Sequence, residues 1–228
     1  DFRRSRGLGD VYKRQVTLFA VQQAAEIGLR QQIIAGVVIV WAARLGPFLF
    51  RRIQKAGEDR RFRKIKLSTP RFLVTWTLQG TWVFLTAGAA LAAIMTTNTA
   101  PLGTVFYVGA GMWVLGFAVE VIADKQKSTF KADPANENKF ITTGIWARAQ
   151  HPNYFGEIVL WAGVAVMALP SLSGSAMIFL ISPAFVAVLL TRISGVPLLR
   201  KTAGIRWGDN PEYQAYLKNT PLLIPRIF

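Results

Sequence analysis

The sequence predicts an all-α fold, a polytopic membrane helix bundle of about 5–7 transmembrane helices with cytoplasmic loops. Three observations lead to this prediction: long apolar runs, basic residues concentrated between those runs, and a high apolar content. Apolar residues make up 52 % of the 228 residues, and the mean hydropathy is +0.31. A soluble domain has a lower apolar fraction because polar groups cover its surface. The chain has no cysteine and one histidine, which excludes disulfide scaffolds, thiolate nucleophiles and multi-histidine metal sites.

Each apolar run is long enough, or nearly long enough, to cross a bilayer as a helix. A membrane-spanning helix needs about 20 mostly apolar residues. The runs lie at residues 33–50, 72–95, 102–123, 155–170 and 174–191. The last two are short, so they fit either a tilted hairpin or one re-entrant segment followed by a span. Residues 16–29 are a sixth, weaker candidate.

The basic residues indicate which loops face the cytoplasm. The chain has 27 Lys and Arg against 12 Asp and Glu, a formal charge of +15. Nine, five and six of the basic residues lie in segments 51–71, 124–150 and 192–228, and none lies in 96–101 or 170–174. The positive-inside rule places the three basic segments in the cytoplasm. We therefore interpret the charge as a topology signal, and we predict neither a nucleic-acid partner nor a protein partner.

The first residues differ in character from the rest. Residues 1–15, DFRRSRGLGDVYKRQ, have no apolar period and no signal-peptide layout. We expect them to be a non-native leader. Residues 16–228 show no internal repeat and no low-complexity tract, and we expect them to form a single transmembrane domain.

Charged side chains follow one another along one face of the helix predicted after residue 102. Glu120, Asp124, Lys127 and Lys131 are spaced by 4, 3 and 4 residues, which places them on one stripe. Carboxylates suit ribose hydroxyls or a carboxamide, and lysines suit phosphates. The order predicts a site for a negatively charged, sugar-containing cofactor at the cytoplasmic surface. The alternative is a ladder of ion pairs at the end of a helix.

The segment QHPNYFGE, residues 150–157, is predicted to begin a helix where a loop enters the membrane. Proline is favoured in the first turn of a helix, and Pro152 fits that position. A carboxylate inside an apolar run must be paired or hydrogen-bonded. The alternative is an interfacial belt of aromatic and polar groups. The candidate polar groups here are Trp146, His151, Asn153, Tyr154 and Glu157.

Two further segments have structural interpretations. Tyr213 and Tyr216 are three residues apart in a proline-rich tail, which predicts a short helix that packs back on the bundle. The alternative is a polar tail on the membrane surface. GAGMWVLG, residues 109–116, lies inside an apolar run, so it predicts close helix packing by small residues rather than a dinucleotide-binding loop.

Four blocks of the sequence together resemble the membrane reductase superfamily of steroid 5-alpha-reductases, sterol reductases and a bacterial branch. They are ADKQKSTF, FITTGIWARAQHPNYFGEIVLWAG, SPAFVAVLLTRISGVPLL and PEYQAYLKNTPLLIP, within residues 41–228. The resemblance implies an integral protein of the bacterial inner membrane with NADPH held by loops on the cytoplasmic side. It implies reduction of a conjugated C=C bond in a steroid-like or other lipid enone. Such a substrate would enter from the bilayer, among the membrane lipids.

The resemblance also implies roles for individual residues. The carbonyl of the substrate is assigned to Glu26 or a tyrosine, and Arg44 in the WAAR stretch is the second expected catalytic residue. Cofactor contacts are implied for Glu120, Asp124, Lys127, Lys131, Trp146, His151, Asn153, Tyr154, Glu157, Arg192, Asp209, Tyr213 and Tyr216. Among these, the lysines correspond to the phosphate contacts, and the last four correspond to a cap on the adenine side.

The sequence departs from the family pattern at three positions. Trp41 stands in the tyrosine region, Gln150 replaces an arginine, and Arg200 replaces a glutamate. Two other functions stay open. The block around His151 also occurs in lipid and isoprenylcysteine methyltransferases that use S-adenosylmethionine. A lipid-binding bundle without enzymatic activity is the third reading.

Overall fold

The computed structural model describes residues 14–22, 27–56, 68–98 and 100–226, with side chains throughout except at 48–56. Within these ranges the chain is helical or irregular, and none of the described residues lies in a strand. The predicted all-α fold is confirmed. The expected leader falls almost entirely on residues outside the described ranges.

The described helices follow the predicted apolar runs closely. Residues 14–22 are helical. The longer helices are α1 Leu29–Ala56, α2 Thr69–Met95, α3 Thr104–Ala132, α4 Pro152–Ala168, α5 Ser182–Val188, α6 Val196–Trp207 and α7 Pro211–Asn219. Short 3₁₀ segments cover Pro134–Asn136, Gly144–Ala147, Leu169–Ser171 and Gly174–Ile181, and a π-helical turn covers Leu189–Ile193.

Four helical stretches in the described part of the chain are long and apolar enough to cross a membrane. They are Thr69–Met95, Thr104–Ala132, Pro152–Ser171 and Gly174–Trp207. They match four of the predicted runs, and the last two runs are longer than the sequence suggested. The run 33–50 lies within α1. The side chains at 48–56 of this helix are not among those that the structure describes. The molecule is therefore a helical membrane protein, and the number of spans stays a prediction.

The described helices group into two compact units, and residues 1–109 with 164–182 form the first. Its core includes five small residues of α2 that are buried, namely Ala87, Gly88, Ala89, Ala90 and Ala93. Phe179 lies against this stretch. A Cβ at Gly88 would lie 2.7 Å from the Phe179 ring, and Phe84 packs edge-on to that ring at 5.5 Å. The absence of a side chain at Gly88 thus makes room for an aromatic side chain.

Arg30 is a buried cation in the first unit, with 4 % of its surface exposed. Its guanidinium donates to the carbonyl of Ala100 at 3.0 Å, to that of Met167 at 2.7 Å, and also to that of Pro101. The guanidinium also lies 5.1 Å from the centroid of the Phe106 ring. Main-chain carbonyls therefore stabilise the charge inside this unit, one of them at the carboxyl end of α4.

Residues 110–163 and 183–228 form the second unit. Here α3 and α4 touch through their backbones. A Cβ at Gly116 would lie 2.6 Å from the Gly156 carbonyl, and a Cβ at Gly156 would lie 2.6 Å from the Gly116 carbonyl. Close packing by a small residue of the segment 109–116 is confirmed at Gly116. Because the helices approach so closely, Glu120, one turn after Gly116, is buried with 3 % of its surface exposed.

The second unit contains a sharp bend between the π-helical turn and α6. Ser194 donates its N–H to the Leu189 carbonyl at 2.8 Å, which ends the turn. At Gly195 a Cβ would collide with the Leu190 carbonyl oxygen and would lie 2.9 Å from the Tyr154 ring. Glycine is therefore required at the bend, which brings the chain against the start of α4.

The tail packs back on the second unit, as its sequence predicted. Asn210 caps α7 by accepting from the N–H groups of Glu212 and Tyr213 at 2.8 and 3.3 Å. Beyond α7 the main chain pairs with the segment before α4. The N–H groups of Gln150 and His151 donate to Pro221 and Leu222 at 2.9 and 3.1 Å, and that of Arg226 donates to Arg148 at 3.1 Å.

Candidate functional site

Trp146 is the centre of the polar cluster in the second unit. Its ring is 2 % exposed, and its Nε1–H donates to the carbonyl of Ala123 on α3 at 3.0 Å. One turn further along α3, the Lys127 ammonium lies 4.2 Å from the centroid of the same ring. A cation over an indole face is attracted by the π-electrons and is held in place. The predicted phosphate contact Lys127 and the predicted cofactor contact Trp146 therefore lie together.

A glycine turn fixes the approach of Trp146 to α3. Gly144 has φ +62°, the left-handed region, and a Cβ there would lie 2.5 Å from Oε1 of Gln126. That same oxygen accepts the N–H of Ile145 at 3.1 Å. Gln126 thus anchors the loop, and Trp146 packs with Ala123 and Ile141 in a small apolar core.

Tyr216 ties α7 to this cluster. Its hydroxyl donates to the Trp146 carbonyl at 2.7 Å. Burial raises the pKa of Tyr216, and the neighbouring Tyr213 adds to the rise, so the hydroxyl keeps its proton at neutral pH. Phe140 packs against both phenols, edge-on to Tyr213 at 5.0 Å and tilted to Tyr216 at 5.8 Å. The predicted aromatic pair of the tail is therefore part of the cluster.

His151 lies in a buried and electropositive position at the start of α4. Its ring is 8 % exposed and stacks on Tyr154 with a centroid distance of 5.2 Å. Burial lowers the pKa of His151 to about 3, and the positive charges of Lys127 and Arg200 contribute to this lowering. The imidazole is therefore neutral at physiological pH. Its Nδ1 is buried and has no hydrogen-bond partner among the described residues.

Gln150 also connects the cluster to the tail. Its Nε2 donates to the carbonyls of Leu217 at 3.0 Å and Thr220 at 2.6 Å, where α7 ends. Its Oε1 is buried and has no hydrogen-bond partner in the described part of the chain. Two adjacent residues, Gln150 and His151, thus each offer a buried polar atom that the described protein groups leave unsatisfied.

The carboxylates and the amide of the predicted site occupy neighbouring turns of α3 and α4. Asn153 donates from Nδ2 to Asp124 Oδ1 at 3.4 Å. Glu120 is buried, and Asp124 and Glu157 are half-buried. The predicted helix start at Pro152 and the predicted stripe on α3 are both confirmed as local structure.

Three other predicted residues lie at the surface. Lys131, Arg192 and Asp209 are exposed. Arg44 is half-buried and belongs to the first unit. Glu26 lies outside the described residues. No group of three or more metal-ligating side chains occurs in the described ranges.

Sequence reasoning missed Gln126 and Phe140 as parts of the site. Gln126 lies one residue before Lys127, and its partner Ile145 is 19 positions away, so no local spacing marks it. Phe140 interrupts a polar loop, and an aromatic residue in that setting is a weak signal of packing. Arg200 was noted for its charge, but its influence on His151 and Tyr213 appears only in the folded chain.

Comparison with known proteins gives one match. A search of curated proteins and a search of solved structures found no match to the chain. The sequence profile of the family described as "Protein of unknown function (DUF1295)" matches residues 9–220. That match covers most of the 228 residues, including every side-chain contact described for the cluster around Trp146. The chain therefore belongs to this family of membrane proteins of unknown function.

Proposed function

We propose that the protein is an NADPH-dependent reductase of a conjugated C=C bond in a steroid-like or other lipid enone. The main support is the position of Lys127, whose ammonium lies over the Trp146 ring. The positive charges of Lys127 and Arg200 both lower the pKa of the buried, neutral His151. Converging positive charge beside uncharged polar groups favours a phosphate-bearing ligand. The resemblance of the four sequence blocks to membrane reductases supports the same proposal.

The residues present fit such a cofactor. Buried polar atoms are almost always hydrogen-bonded, so unsatisfied ones point to a missing partner. His151 Nδ1 and Gln150 Oε1 are two such atoms in the described chain. A carboxamide carries both a donor group and an acceptor group, so it suits this pair. Lys127 would serve the phosphates, and Asp124 would serve hydroxyl groups.

The chain's own contribution is binding, orientation and exclusion of water. NADPH, when bound, supplies the hydride. Fixing a reactant against a reacting group contributes about 7–11 kcal/mol to catalysis. The hydrogen bonds of Trp146, Tyr216 and Gln126 hold the loop, α3 and α7 together, which supports such a role. A hydrogen-bond donor must also polarise the enone carbonyl, and we propose Glu26 or a tyrosine for that step, with Arg44 as the second catalytic residue.

Ligand-dependent thermal stability of the purified protein in detergent tests the proposal. A ligand at 100 times its Kd adds about 2.7 kcal/mol of stability, so NADPH should raise the melting temperature. Stabilisation by S-adenosylmethionine alone would instead identify a methyltransferase. Stabilisation by neither compound would indicate a lipid-binding bundle. Either result would overturn the reductase proposal.

A matched pair of lysine variants locates the site. Lys127→Ala should abolish most of the NADPH shift, because Lys127 is the cation fixed in the cluster. Lys125→Ala removes the same charge two positions away, from an exposed side chain, and should keep the shift. Equal losses in both variants would mean that bulk positive charge, and not this cluster, attracts the cofactor.

A further inference from the structure

Helix α6 lies at the end of an apolar stretch that is longer than a bilayer is thick. The candidate span Gly174–Trp207 has 34 residues. At about 1.5 Å per residue, a helix of that length exceeds the hydrocarbon core by roughly 20 Å. The chain bends at Gly195, so α6 is a separate helix joined to the stretch by Ser194 and Gly195. Because the connection is this short, a membrane span formed by the preceding part of the stretch would leave α6 at the membrane surface.

One face of α6 packs inside the second unit. Val196 is buried, and Leu199, Ala203 and Trp207 follow at helical spacing as half-buried side chains. The Nε1–H of Trp207 donates to the carbonyl of Asn138 at 2.5 Å. These contacts fix the rotation of α6 about its axis, so the opposite face is also defined.

The opposite face combines an exposed aliphatic side chain with cations. Ile205 has 81 % of its surface exposed. Lys201, one turn earlier, lies on the same stripe and is exposed. Arg206, next to Ile205, is also exposed and lies at the border between this face and the packed one. The sequence of α6, VPLLRKTAGIRW, contains no acidic residue. An aliphatic side chain that is exposed in the protein alone, with cations beside it and an apolar stretch before it, suits a position at the bilayer interface, where long basic side chains reach the headgroups.

We propose that the exposed face of α6 binds an anionic phospholipid surface. Ile205 inserts among the upper parts of the acyl chains, and Lys201 and Arg206 contact the lipid phosphates. Charge complementarity favours anionic over zwitterionic headgroups. This interaction is independent of the proposed reductase activity, because neither Lys201 nor Ile205 belongs to the cluster around Trp146.

The absence of cysteine in the chain allows a direct test. Ile205→Cys carries an environment-sensitive fluorophore, and the protein is reconstituted in vesicles of phosphatidylcholine with or without phosphatidylglycerol. A fluorophore at Glu212→Cys, on an exposed position of α7, is the matched control. We expect blue-shifted emission and quenching by spin-labelled lipid at position 205 and not at 212, with stronger quenching when phosphatidylglycerol is present.

Charge variants separate the lipid from other occupants. Lys201→Gln with Arg206→Gln, made in the labelled protein, should reduce the effect of phosphatidylglycerol several-fold, whereas Lys139→Gln with Lys218→Gln should not. Aqueous iodide that quenches positions 205 and 212 equally would overturn the proposal. A signal at 205 that follows protein density rather than phosphatidylglycerol content would identify a second copy of the chain instead, and would overturn it as well.

Discussion

The ammonium of Lys127 lies 4.2 Å from the centre of the Trp146 ring, while the indole N–H of Trp146 donates to α3 one turn before Lys127. The tryptophan therefore contacts α3 twice, once by its edge and once by its face. This double contact joins the loop before α4 to the charged stripe of α3. It makes Trp146 both a structural anchor and a determinant of where the positive charge sits.

Replacing Trp146 by Phe should destabilise the protein and weaken NADPH binding together. Loss of the indole hydrogen bond leaves the Ala123 carbonyl buried without this partner, at a cost of about 1–3 kcal/mol. The matched control is Trp113→Phe, because Trp113 is also buried but its Nε1–H has no hydrogen-bond partner among the described residues. Melting temperatures with and without NADPH measure both effects, and equal destabilisation in the two variants would contradict the role of the hydrogen bond.

Stability should fall on acidification through the titration of His151. Its pKa is lowered from 6.5 to about 3 in the folded chain. Below pH 6.5 His151 is therefore protonated in the unfolded chain but stays neutral in the folded chain. The free energy of unfolding declines progressively toward pH 3 as a result. The variant His151→Gln should lack this component of the pH dependence. Melting curves between pH 7 and pH 4 compare the two proteins, and parallel profiles would refute the assignment.

The single histidine also permits a direct spectroscopic reading. Nuclear magnetic resonance of protein labelled at histidine should show a neutral imidazole from pH 8 down to about pH 5. Arg200→Gln should raise the pKa of His151, since a repelling positive charge is removed. Lys201→Gln, an exposed neighbour, serves as the control. An ordinary titration near pH 6.5 in the unmodified protein would show that His151 is hydrated.

The glycine contact between α3 and α4 should not tolerate a methyl group. Gly116→Ala and Gly156→Ala each place a Cβ about 2.6 Å from the carbonyl oxygen of the other helix, and overpacking of this kind costs about 1–3 kcal/mol. Gly111→Ala, earlier on α3, meets no atom within 4 Å and should be neutral or slightly stabilising. Thermal unfolding in detergent ranks the three, and a tolerated Gly156→Ala would contradict backbone contact.

Removing the Tyr216 hydroxyl should loosen α7. Tyr216→Phe loses the hydrogen bond to the Trp146 carbonyl, worth about 1 kcal/mol. Tyr107→Phe makes the same chemical change at a side chain that is 62 % exposed and should have little effect. Hydrogen exchange of the α7 amides is the measurement, because it reports on that helix alone. Unchanged amide hydrogen exchange in Tyr216→Phe would show that the Tyr216 hydroxyl does not stabilise α7.

Even a conservative replacement of Arg30 should destabilise the protein. Arg30→Lys keeps the charge but cannot present the fork that donates to Ala100, Pro101 and Met167. We expect a loss of about 1–3 kcal/mol from the unsatisfied carbonyls. Arg71→Lys, at an exposed position, is the control, and a melting temperature that falls equally in both would argue against the fork.

The sequence predicted those features that depend on local spacing. The stripe from Glu120 to Lys131 is helical, α4 begins at Pro152, and Gly116 packs closely, each because a 3.6-residue period or a side-chain property sets it. Contacts between distant positions were not predictable in this way. Arg30 donates hydrogen bonds to residues 70 and 137 positions away. At Gly195 the Leu190 carbonyl oxygen leaves no room for a Cβ, and this contact cannot be recognised from the sequence. Glu26, the expected carbonyl acid, lies outside the described residues and stays a prediction.

The pairing of Gln150 and His151 with residues 217–222 sets an order of events during synthesis. Helices α3 and α4 precede this partner segment in the chain and are therefore synthesised before it. The side-chain amide of Gln150 and the main-chain N–H of His151 therefore lack these partners until residues 217–222 have been made. A chain that stops before residue 217 would therefore contain helices α3 and α4 but lack the contacts that connect Gln150 and His151 to the tail.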